Sequence, residues 1–145
     1  HSGHYWGTDA SLALMRHGRF TELPDPSTLP EDHLIEDAHF AFPGIPDSIT
    51  LALAFGVFTH LPQSALQTAL ASLRRFPNLR ATLFTVFLSD TPGSTRQPDG
   101  VVTHPDRPPY HLPEAQIAAT IADAGFTPAR QPLLLPRGQV LWTAT

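Results

Sequence analysis

Residues 51–62 read LALAFGVFTHLP: eight positions, apolar but for one glycine, run straight into a threonine, a histidine and a proline. Apolar character that is continuous rather than alternating suits a parallel strand covered on both faces. An interior segment that ends in polar groups predicts a buried strand delivering its C-terminal end to a binding crevice.

The flanking residues extend the pattern. QSALQTALASLRRF, residues 63–76, predicts a helix in which Leu66, Leu70 and Leu73 share an apolar face. Ser64 and Gln67 have the spacing of a capping box, and Arg74 and Arg75 occupy the last turn, where positive charge favours the helix dipole. Arg80 to Leu88, RATLFTVFL, reads as a second buried strand rich in branched and aromatic residues. Residues 89–109 are polar and proline-rich, a long loop of the kind that forms a lid or stays disordered. PEAQIAATIADAG predicts a helix opening at Pro113 or Glu114 and ending at Gly125. FTPARQPLLL and GQVLWTAT flank PRG and predict a hairpin with Gly138 in its turn.

Upstream, HYWGTD (His4 to Asp9) predicts a short strand closing on an acid. ASLALMRHG follows with Leu12, Met15 and Arg16 at helical spacing and Gly18 as the expected stop. Thr21 to Asp32 holds three prolines and reads as a loop. His33 to Phe40, HLIEDAHF, predicts another strand ending near Asp37, and AFPGIPDS a turn-rich connector. Alternating strands and helices argue for an α/β fold, a doubly wound and mostly parallel sheet with helices on both faces. Ligands of such sheets bind outside the carboxyl ends of the strands, and Asp9, Asp37 and the turn from Phe55 to His60 each follow a strand.

Composition narrows the classes of function. The chain has 145 residues, the size of one domain, with 41% hydrophobic and only 15% charged residues, which favours a globular fold over disorder. The net charge is −4 and every basic residue is arginine, so no electrostatic footprint for nucleic acid or an anionic membrane is present. With no cysteine, disulfides, thiolate metal sites and cysteine nucleophiles are excluded. The longest apolar run, Leu51 to Phe58, is far short of the ~20 residues of a membrane span. No basic-then-apolar leader opens the sequence, and the cytoplasm is the default location.

These stretches together resemble a class I S-adenosylmethionine-dependent methyltransferase of the small-molecule type. YWGTDAS is similar to that family's second strand and LIEDAHFAFP to its third. DSITLALAFGVFTHLP, the following helix and RATLFTVFLSD resemble its fourth strand, helix and fifth strand. The resemblance implies a Rossmann-like fold with a C-terminal antiparallel hairpin, S-adenosylmethionine as cofactor and a small-molecule methyl acceptor. It implies that Asp9 holds the ribose hydroxyls, that Asp37 contacts the adenine amino group and that Phe55 and Gly56 lie against the cofactor. Thr59, Tyr110 and His111 are the implied acceptor-side residues, with His60 a candidate base. Two features depart from the pattern: Ile49 and Thr50 stand where the family usually has Phe-Asp, and no G-x-G precedes Asp9. The expectation is a single domain over residues 1–145 truncated at its N-terminus, with two strands lacking a neighbour and weak cofactor binding.

Each assignment has a plainer rival. Asp9 suits a helix N-cap, Asp37 an ordinary loop, Phe55 and Gly56 core packing, His60 a local hydrogen bond, and Tyr110 and His111 a proline-stiffened surface loop. Eight histidines suggest a metal, but no pair stands three or four apart on a predicted helix, so no metal site is expected. The absence of G-x-S-x-G leaves nucleophilic catalysis little support. A noncatalytic methyltransferase-like scaffold is the alternative function, and another doubly wound enzyme a third.

Overall fold

The computed structural model describes residues 4–133 and 135–145. The chain divides into two compact units, His1–Pro46 and Asp47–Thr145.

The first unit contains β1 (Gly7–Asp9), α1 (Leu12–Glu22), two 3-10 turns (Pro26–Thr28 and Glu31–His33) and β2 (Leu34–Glu36). The strands pair in parallel, with Gly7 opposite Leu34 and Asp9 opposite Glu36. Both are shorter than their aromatic-rich sequences predict. Trp6 stacks on the His33 ring at 3.8 Å instead of extending β1, and the chain turns at Asp37 rather than continuing to Phe40. Gly18 does not stop α1, which runs on to Glu22. The later turns are held from outside: Arg16 pairs with Glu31 at 2.6 Å, and Arg19 Nε donates to the Leu29 carbonyl at 2.5 Å.

The second unit is built on β3 (Leu51–Ala54), α2 (Gln63–Leu73), β4 (Ala81–Leu88), β5 (Thr95–Arg96), β6 (Val102–Thr103), β7 (His111–Leu112), α3 (Glu114–Asp123), β8 (Pro128–Arg130) and β9 (Val140–Ala144). The main sheet runs β3-β4-β9-β8, with β7 joined to the end of β4. β3 and β7 are parallel to β4, whereas β9 is antiparallel to both β4 and β8. The predicted α/β order and the closing antiparallel hairpin are both present.

One sheet face carries Thr82, Phe84, Val86, Trp142 and Ala144, all buried. α2 contributes Leu66, Ala69, Leu70 and Leu73 to the core, and α3 contributes Ile117 and Ile121. The two helices are tied together where Gln63 Nε2 donates to Thr120 Oγ1 at 2.8 Å. The apolar face predicted for α2 is therefore the one that packs. Its capping box does not form: the N-cap is Pro62, which leaves Ser64 inside the helix.

The expectation of a strand covered on both faces is corrected at β3. Leu51 and Leu53 stay 50% and 59% exposed, and among the described residues only β4 pairs with this strand. Continuous apolarity reported the composition of both faces and not whether both are covered. Residues 89–109, expected as a lid or as disorder, form the β5–β6 hairpin, antiparallel with Thr95 opposite Thr103. No helix among the described residues is long and apolar enough to cross a membrane.

Candidate functional site

The first unit brings its two predicted acids together. Asp9 ends β1, Asp37 follows β2, and the Asp37 N–H donates to the Asp9 carbonyl at 2.8 Å. Parallel register puts both at the same, carboxyl ends of adjoining strands, the location where open α/β sheets bind ligands. Asp9 is exposed, and its carboxylate accepts from the Ser11 N–H at 2.9 Å. It is not the N-cap of α1. That role falls to Ser11, whose hydroxyl accepts from the Leu14 N–H at 3.3 Å.

Asp37 organises the loop after β2. Its two carboxylate oxygens accept from the backbone N–H of His39 at 2.9 Å and of Phe42 at 2.7 Å. These contacts hold Phe40 and Phe42 in left-handed backbone, with φ of 55° and 51°, which non-glycine residues seldom adopt. Partial burial of Asp37 acts to raise its pKa. The N–H groups of Phe42, His39 and Ala41 outweigh it, so the carboxyl lies below its ordinary value. A carboxylate with four lone-pair directions retains capacity for a further donor.

In the second unit the C-terminal end of β3 turns sharply. Gly56, at φ 72°, donates its N–H to Thr85 Oγ1 at 2.8 Å, while its carbonyl accepts from Thr59 Oγ1 at 2.8 Å. Nothing lies within contact distance of a Cβ built on Gly56, so the glycine answers to backbone angle and not to crowding. Thr59 is buried, and its carbonyl accepts from the Tyr110 N–H at 2.7 Å, which joins two of the predicted acceptor-side residues. His60 is exposed at the start of the approach to α2.

His111 sits 1% exposed in a polar network. Nε2 faces the Thr91 carbonyl at 3.2 Å, where it can only donate, and Nδ1 meets the Thr103 hydroxyl at 2.8 Å, from which a neutral ring accepts. Gln97 Nε2 donates to the same hydroxyl at 3.0 Å. Thr59 and His111, two of the expected acceptor-side residues, are buried. Both are turned inward, and their hydrogen bonds hold the turn after β3 and the β5–β6 hairpin.

Phe55, Gly56 and Thr85 line an open hollow of about 340 Å³, whose far wall is Leu135, Pro136, Arg137 and Gln139 from the β8–β9 connection. The sequence PRG predicts only a turn, and nothing in its local pattern marks it as the wall of a hollow. Among the described residues no cluster of three or more histidines or acids could hold a metal.

No protein-family model and no curated sequence matches the chain. Solved structures do. The chain is similar to the 1,6-didemethyltoxoflavin-N1-methyltransferase of Burkholderia thailandensis, solved with its substrate and S-adenosylhomocysteine, at 20% identity and TM-score 0.58. It is similar to the magnesium protoporphyrin IX methyltransferase of Synechocystis at 14% identity and TM-score 0.57, and to a glycopeptide N-methyltransferase at 16% and 0.60. These likenesses cover 94%, 96% and 95% of the chain but only 58%, 57% and 72% of the three structures. The chain thus has the class I S-adenosylmethionine-dependent methyltransferase fold and spans a little over half the length of the first two.

Proposed function

We propose that the protein acts in S-adenosylmethionine-dependent methyl transfer to a small-molecule acceptor. The observation that carries this reading is the pair of acids at the adjoining carboxyl ends of β1 and β2, within a fold shared with methyltransferases solved with S-adenosylmethionine or its product. Asp9 is assigned to the ribose hydroxyls, Asp37 to the adenine amino group, and Phe55 and Gly56 to the cofactor. Thr59 and His111 shape the acceptor side from within, Tyr110 borders it, and His60 is the exposed candidate base.

The cofactor supplies an activated methyl group on a sulfonium. The protein's task is then to hold the acceptor atom, methyl carbon and sulfur in line, and positioning alone accounts for much of such a rate. A base is required only for an acceptor that stays protonated at neutral pH, which is the role open to His60.

Charge-assisted hydrogen bonds from two carboxylates contribute roughly 3–6 kcal/mol together, against about 4 for millimolar and about 8 for micromolar binding. Titration with S-adenosylhomocysteine, followed by amide chemical shifts, should therefore give a Kd on the order of 1 mM for these residues. The shifts should map to Asp9, Asp37, Phe55 and Gly56, and Asp9→Asn should weaken binding about tenfold. Shifts that spare those positions would overturn the reading. Cofactor binding without methyl transfer to any acceptor would favour the noncatalytic scaffold.

A further inference from the structure

Among the described residues, the hollow beside Gly56 has one charged lining residue, Arg137. Its backbone lies at φ 63°, a left-handed conformation that a side-chain-bearing residue keeps only where the surroundings impose it. The β5–β6 hairpin imposes it here. The Asp99 carboxylate accepts the Arg137 N–H, and Gly138 packs so closely on the hairpin that a Cβ there would meet Pro98 at 2.7 Å. Asp99 is engaged with backbone and forms no ion pair with the guanidinium. Arg137 is exposed and its side chain has no hydrogen bond or ion pair among the described residues. Arg16, Arg19 and Arg130 pair with glutamates, Arg96 donates to the Gly100 carbonyl, and Arg74 and Arg75 lie over phenylalanine rings, whereas Arg80 and Arg107, also without a side-chain partner among the described residues, do not line the hollow.

A strained, externally held arginine that lines a hollow, its guanidinium unpaired among the described residues, has the form of a ligand clamp. The rest of the lining specifies the partner. Phe55 and Leu135 offer apolar surface, and Gln139 a neutral polar group. One guanidinium, with no second cation and no helix N-terminus in the lining, matches a monoanion better than a phosphate dianion, and its planar fork matches a carboxylate.

We propose that the methyl acceptor enters this hollow from the side where Phe55 and Gly56 meet the cofactor, and that it is a largely apolar molecule bearing a carboxylate, which Arg137 clamps. The inference rests on the methyl-transfer reading for the word acceptor, and on the hollow alone for the carboxylate.

The probes are 4-hydroxybenzoate and its uncharged analogue 4-hydroxybenzamide, titrated by amide chemical shifts into the wild-type protein, Arg137→Gln, Arg137→Lys and Arg80→Gln. Arg80 precedes β4, at the opposite end of that strand from the hollow. The wild-type protein should prefer the carboxylate about tenfold, with shifts at Gly56, Thr85 and Gln139. Arg137→Gln should bring the ratio close to one without lowering the thermal midpoint, Arg137→Lys should keep part of it, and Arg80→Gln all of it. Equal binding of the two probes to the wild-type protein, or a preference that survives Arg137→Gln, overturns the proposal. A parallel titration with S-adenosylhomocysteine separates the sources of the carboxylate. If Arg137→Gln weakens that ligand instead, the clamp belongs to the cofactor's own carboxylate and the proposal fails. If no variant binds S-adenosylhomocysteine while the probe preference follows Arg137, the anion site stands and the methyl-transfer reading falls.

Discussion

At Asp37 one carboxylate serves two ends. It holds the left-handed phenylalanines 40 and 42 through backbone N–H groups, and it stands beside Asp9 where a nucleoside is proposed to lie. Asp37→Ala should cost about 1–2 kcal/mol in denaturant unfolding, the lower range for charged hydrogen bonds because the loop is partly exposed. The folded-state pKa of Asp37 lies below its ordinary 3.8. Its contribution to stability is therefore fully present above the unfolded value and is lost as pH falls through the folded one. Unfolding of the wild-type protein should show added acid lability below about pH 4, and the variant should lack that component. His111 is the clearer structural residue. His111→Ala removes both ring hydrogen bonds and opens a cavity, and about 2–4 kcal/mol should be lost. An unchanged midpoint would show that the network does not hold the hairpin.

Among the elements, β4 carries the sheet, and β4 and β9 each bury one unsatisfied polar atom. Thr82 Oγ1 and Trp142 Nε1 are buried without hydrogen-bond partners among the described residues. Thr82→Val keeps the shape, removes the orphan hydroxyl and adds strand propensity, so it should stabilise by about 1 kcal/mol in thermal or denaturant melts. The β8–β9 connection behaves in the opposite way. Gly138 combines φ 73° with 2.7 Å between a built Cβ and Pro98 Cδ. Gly138→Ala should cost about 2 kcal/mol from backbone strain and overpacking, and should also disturb the carboxylate preference of the hollow, because Arg137 is its neighbour. α2 was legible from leucine spacing, since a helix buries one stripe and the stripe is written in the chain, and α3 from the residues that bound it, Pro113 and Gly125. The β5–β6 hairpin was not legible. Two-residue strands carry no periodicity, and their stability comes from Gln97, Thr103 and His111, residues that look like surface polars in one dimension.

Over the whole chain, burial is unequal. Within His1–Pro46 only Leu34 is buried among the described residues, whereas Asp47–Thr145 contains the aromatic and aliphatic core around Phe84, Ile117, Ile121 and Trp142. A unit with so little interior opens at low free energy. Native-state hydrogen exchange should show amides of α1 and β2 exchanging well ahead of those of β4 and α3, and equal protection in both units would contradict that ordering.

The order of strands and helices, the core face of α2, and the placing of two acids after strands all follow from the linear sequence. Hydrophobic period and the polar residues that end a run are local properties, written by neighbours a few positions apart. Only tertiary structure decided that β3 leaves Leu51 and Leu53 exposed, that Thr59 and His111 are buried, and that Arg137 lines a hollow. Each of these depends on residues that meet across the sheet from distant parts of the chain, and local spacing carries no record of such meetings.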